Sequence, residues 1–198
     1  MAIKPILFNT KMVRAILDGR KSCTRRIVKY DVGVILNSQF CRENPDVDGK
    51  QIISKLCIPL YQPGDILYVR ETWSEGYEEG TYIYKADDKL ADLPTFKESS
   101  KLIYHPSIHM PKEAARIWLK VTDVKVERLQ EISGEDLIKE GIDLFQSNYV
   151  RVAFDEFKNI WNSTIKKSDL DRYGWNANPY VFVIEFVRID KPEEIQNA

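Results

Sequence analysis

The stretch that decides the reading of this chain is Gly19-Arg20-Lys21-Ser22-Cys23-Thr24-Arg25-Arg26. A short amphipathic pattern precedes it, with Met12, Val13, Ile16 and Leu17 on one face, Asn9 or Thr10 able to cap its start, and Gly19 as its stop. The octet therefore leaves a helix end where backbone carbonyls favour positive charge. It places a lysine three residues before a threonine, flanked by arginines. A lysine whose basicity is tuned by its surroundings, beside a hydroxyl, is a nucleophile pair in outline. Arg20, Arg25 and Arg26 are the residue type that grips phosphate or the edge of a nucleobase.

Composition narrows the classes. A chain of 198 residues with 43% hydrophobic content, four Trp, ten Tyr and eight Phe has material for one domain with insertions. No apolar run reaches the roughly 18 residues of a membrane span, and no signal-peptide pattern opens the chain. Three cysteines, Cys23, Cys41 and Cys57, lack paired spacing, so a cytoplasmic protein without disulfides is expected. The net charge of −1 argues against duplex binding through overall charge. The basic surplus is local: Lys11, Arg14, Arg20, Lys21, Arg25, Arg26 and Lys29 stand against Asp18 alone between positions 11 and 29. Such a patch suits a small anionic group or a short single strand, and equally a solvated helix end.

Along the chain, Ile3 to Phe8 reads as a first strand, with Pro5 marking an edge. Residues 31–60 contain Asn44-Pro45, Asp48-Gly49 and Ile58-Pro59 and read as an insertion with one short strand near Gln51–Cys57. Ile66 to Thr72 and Tyr82 to Tyr84 read as strands, residues 85–113 as a long loop, and Ala114 to Val126 as a long strand. Ser133-Gly134-Glu135-Asp136 is a capping box closed by Gly141, and Val150, Phe154, Phe157 and Trp161 give a helix over 149–163. Val181 to Val187 completes a small mixed β-barrel flanked by helices, an α+β class over residues 1–190, with 191–198 as a tail.

Gly19, Lys21, Thr24 and Arg26 fit the G-x-K-x-x-T-x-R pattern of the ASCH domain, in the PUA-like superfamily. The stretch Gln62 to Trp73 resembles that family's Gly-Asp turn and the strand leading to an acidic residue, here Glu71. Pro106 to Pro111 and Trp175 to Phe186 resemble a longer, phage- and prophage-associated branch. The resemblance implies a PUA-like barrel that recognises RNA or a nucleoside. It also implies that Lys21, Thr24 and Glu71 match the catalytic group of the small bacterial N4-acetylcytidine amidohydrolase. In that chemistry Thr24 attacks an acyl carbonyl, Lys21 manages its proton, and Glu71 orients Lys21 or protonates the leaving amine. Lys21 takes a proton only if its pKa falls from about 10.4 toward 7.

The structural alternative is a Lys21–Glu71 salt bridge that pins the turn, with Thr24 bonded to backbone. Arg70 alternates with Glu71, which is expected on the inner face, and Trp73 shares that face as a stacking platform or as core. Ser107 to Pro111 is expected to fold over the pocket, with Ser107 and His109 as ligand contacts. His105 and His109 fit no zinc spacing, and no metal or cofactor is expected. Tyr173, Trp175, Asn178 and Tyr180 read as closure of the barrel before they read as a platform. A non-catalytic RNA-binding module, a ribonuclease and a phage-encoded interaction protein acting through its insertions are the rival functions. No protein partner can be read from the residues.

Overall fold

The computed structural model describes residues 1–87, 103–143 and 150–193. Part of the expected loop, residues 88–102, and the end of the expected tail, residues 194–198, lie outside them. The α+β class holds. A five-stranded mixed sheet runs in the order β1-β3-β6-β7-β2, and β4 and β5 form a separate two-stranded ribbon. β1 and β2 stand first and last in that order. The chain falls into two compact units, the first made of Met1–Lys21, Gly64–Lys120 and Val187–Ala198, the second of Ser22–Pro63 and Val121–Phe186.

In the first unit, β1 (Ile3–Leu7) runs parallel to β3 (Ile66–Arg70), with Ile3 opposite Ile66 and Leu7 opposite Arg70. Pro5 has no N–H to give a second ladder, which suits the outer position β1 occupies. β3 is an apolar run because its other side pairs with the start of β6 (Trp118–Arg128), Leu67 facing Leu119. β6 starts four residues later than the sequence suggested. Ala114 and Ala115 instead offer their carbonyls to the Tyr84 hydroxyl and the Trp118 indole. Helix α1 (Thr10–Leu17) begins at Asn9, whose side chain accepts from the Met12 N–H at 2.9 Å, and buries Val13, Ala15 and Ile16. Gly19 ends it in the left-handed region, φ +74°. The ribbon of β4 (Trp73–Glu75) and β5 (Tyr82–Tyr84) packs on Ile66, Tyr68, Met110 and Trp118.

In the second unit, β2 (Cys23–Ile27) lies antiparallel to β7 (Tyr180–Ile189), with Thr24 opposite Ile184 and Arg26 opposite Phe182. The sequence reading left residues 23–27 without a strand. The expected strand near Gln51–Cys57 is a correction in the other direction, for that region is helical: α2 (Val32–Leu36), α3 (Gln39–Glu43) and α4 (Gly49–Leu56). Ile52 and Ile53 are the buried side of α4, and Asp48, read as a turn residue, is its N-cap. α5 (Gly134–Lys139) has the Ser133 capping box, and α6 (Val150–Ser163) buries Phe157 and Trp161. The Trp161 indole donates to the carbonyl of Tyr173, the last residue of α7 (Leu170–Tyr173), at 2.8 Å. Among the described residues no helix is long and apolar enough to cross a membrane.

Candidate functional site

Strand β2 decides which of the predicted cations can act together. Successive side chains on a strand point to opposite faces, so Thr24 and Arg26 share one face while Cys23 and Arg25 share the other. The Arg26 Nη1 donates to Thr24 Oγ1 at 2.8 Å and to the Arg25 carbonyl at 3.1 Å. Thr24 is 2% exposed. Burial pushes the Arg26 guanidinium below its usual range, against the opposing pull of Tyr61 and Glu140. A cation whose charge is poorly solvated thus sits on the threonine oxygen.

Arg25 has a different task. Its guanidinium meets Glu127 at 3.1 Å, Asp136 at 3.2 Å and Glu140 at 3.2 Å, in a buried network. Burial alone would lower its pKa, and these carboxylates reverse the sign. Its charge is committed within the unit. Arg20 lies exposed against Asp18 at 3.0 Å.

In the first unit, Lys21 is 4% exposed, with its ammonium 5.5 Å from the centre of the Phe8 ring. Glu71 is 1% exposed, and the sequence missed its partner. Arg116 Nε donates to Glu71 Oε1 at 2.9 Å and Nη2 donates to Oε2 at 3.1 Å, a fork-to-fork pair. The remaining nitrogen, Nη1, donates to both Asp87 oxygens at 2.9 and 2.7 Å. The Arg116 guanidinium carbon lies 3.9 Å from the centre of the Tyr84 ring. Burial raises the Glu71 carboxyl above its ordinary value despite the charge and hydrogen bonds of Arg116. Tyr84 is pushed up to about 12, chiefly by burial. No local pattern ties Arg116 to Glu71, 45 positions away.

The segment expected to fold over a pocket reaches Glu71 by an unforeseen residue. Ser107–His109 is a single 3-10 turn, and Met110 behind it is fully buried, its sulfur accepting from the Glu71 N–H at 3.2 Å. Arg70 donates to the Ile108 carbonyl at 3.3 Å. Ser107 is half-buried and His109 exposed. Trp73, 7% exposed, belongs to the core, where it packs edge-on to Tyr82 and tilted on His105. Tyr180 carries Arg128 on its ring at 3.7 Å, and Trp175 packs against Phe157.

No family model matches the chain, and no curated protein matches it. Among solved structures it is similar to a protein of Enterococcus faecalis described by family-model DUF984, with TM-score 0.44 and 9% identity, over 100% of this chain and 82% of that one. It is also similar to an ASCH domain from Lactobacillus crispatus, with TM-score 0.40 and 11% identity, over 96% of this chain and 81% of that one. Neither likeness carries an argument about what this chain binds or does.

Proposed function

We propose that the chain recognises a nucleobase, in a nucleoside or in single-stranded RNA, and that Lys21, Thr24 and Glu71 are its functional residues. The observation that carries this reading is their burial: they are 4%, 2% and 1% exposed. Burying a lysine and a glutamate is costly even where the charge is paired, as Glu71 is by Arg116, and titratable groups held in such settings cluster at functional sites. Lys21 and Glu71 belong to the first unit and Thr24 to the second, so the reading rests on each residue's own setting and is tested by function.

The leading chemistry is hydrolysis of an acylated nucleoside. The Thr24 hydroxyl gives up its proton as Oγ1 forms a bond to the acyl carbon, the carbon–nitrogen bond breaks, and the departing amine carries that proton away. Arg26, donating to Thr24 Oγ1, favours the negative charge that oxygen takes on as the hydroxyl loses its proton. Burial raises the pKa of the Glu71 carboxyl, the direction a proton donor requires. Water then releases the acyl group and restores the Thr24 hydroxyl.

The test is acyl-cytidine hydrolysis followed by chromatography, with wild type beside Lys21→Ala and Thr24→Ala. Turnover lost in both variants, at unchanged circular dichroism, is the expected result. No turnover by folded wild type overturns the hydrolytic version. RNA affinity that falls with salt and with Arg26→Ala would then mark a binding module, and loss of both would end the nucleobase reading.

A further inference from the structure

One cation in the first unit serves two carboxylates of opposite character. Glu71 is fixed: its side chain is 1% exposed and occupies the Nε and Nη2 side of Arg116. Asp87 is loose: its side chain is 55% exposed and takes only Nη1. Arg116 itself is held in place, stacked on Tyr84, whose hydroxyl is anchored to the Ala114 carbonyl at 2.6 Å. The backbone just before Asp87 is anchored too, because Arg14 donates to the Ala86 carbonyl at 2.8 Å and to the Lys85 carbonyl at 3.4 Å. A guanidinium buried on one edge and oriented by a ring presents its other edge to an exposed anion. That is the arrangement arginine uses to grip phosphate.

We propose that Arg116 is a phosphate-binding residue and that Asp87 holds the place of the phosphate. A phosphate monoester or diester oxygen takes the Asp87 positions on Nη1 while the Asp87 side chain turns into water. Glu71 stays in its fork and keeps the guanidinium aimed. The exchange is feasible because an exposed ion pair contributes little, whereas Glu71 cannot leave without stranding a buried charge. The site lies wholly within the first unit and stands independently of the hydrolytic reading.

The test is calorimetric titration at low ionic strength with two probes, inorganic phosphate and a 5′-phosphorylated single-stranded RNA trimer. Asp87→Ala removes the competing anion and is expected to tighten phosphate binding about fivefold over wild type. Adding Arg116→Lys, which keeps the charge but not the fork, is expected to abolish that gain. Thermal melting verifies that each variant is folded, and Asp87→Ala, altered at an exposed position, carries the test if the double variant is not. A gain for both probes assigns the site to an RNA backbone, and a gain for inorganic phosphate alone assigns it to a small phosphorylated ligand. Asp87→Ala binding phosphate no tighter than wild type overturns the proposal, as does a folded double variant that keeps the gain. Because the readout is phosphate affinity, its failure is distinct from failure of acyl-cytidine turnover.

Discussion

Glu71 is subject to two opposed influences, burial that disfavours its charge and Arg116 that favours it, and burial prevails. Stability should register this with a definite sign. Below the ordinary value of 4.5 the carboxyl is protonated whether the chain is folded or not. As pH rises through the higher folded value, the native state must carry a buried charge, and the stability present at low pH is lost. Glutamine at this position does not titrate. The melting temperature of wild type minus that of Glu71→Gln should therefore fall between about pH 4 and pH 7. A difference independent of pH across that range would contradict the account. Arg116→Ala should destabilise by roughly 3 kcal/mol at neutral pH, because it strands that charge, and by less in acid.

At the scale of elements, two helix ends differ in how much they tolerate. Ser133→Ala removes one side of the α5 capping box, where the hydroxyl accepts from the Asp136 N–H at 3.1 Å, and should cost about 1 kcal/mol. Gly174, at the end of α7, admits no side chain, since a Cβ there would lie 2.5 Å from the Leu170 carbonyl oxygen. Its own N–H closes the helix onto that oxygen at 2.8 Å. Gly174→Ala should thus cost about 2 kcal/mol or more, and urea unfolding that ranks it below Ser133→Ala in cost would refute this.

The same elements show what the residues reveal on their own. α1 and α5 were legible by their caps, and α1 and α6 by an apolar face that repeats within one short window. α2 and α3 were not, being five residues each with no buried side chain to impose a period. α4 was hidden by Asp48-Gly49, which serves equally as a turn and as a helix start. At the site, the strand alternation that put Glu71 inside and Arg70 outside was readable, but Arg116 was not. Its role is fixed by contacts with Glu71 and Tyr84 that no spacing encodes.

For the molecule as a whole, the basic cluster seen in sequence is largely spent on its own neighbours. Arg14 bonds carbonyls, Arg20 faces Asp18, Arg25 faces three carboxylates, and Arg26 holds Thr24. Binding of a short RNA should accordingly be only mildly salt-dependent. We expect a slope of log affinity against log salt shallower than about −2, where seven phosphate contacts would give about −5. Arg26→Ala should flatten it by about 0.7 if that residue meets a phosphate. A slope near −5 would mean that the internal pairs open on binding.

The parallel pairing of β1 with β3 also governs how the protein is made. Ile3 faces Ile66, so β1 leaves the ribosome 63 residues before the strand that completes its ladder. At translation rates of about 5 to 20 residues per second, that is roughly 3 to 13 s with its hydrogen-bonding edges open. Pro5 deprives that edge of a donor and Lys4 gives it a charge, the two features that discourage a waiting strand from joining its like on a neighbouring nascent chain. Once β3 arrives, Lys4 closes onto Asp65 at 2.7 Å, and the residue that guarded the strand during synthesis becomes one of its fasteners.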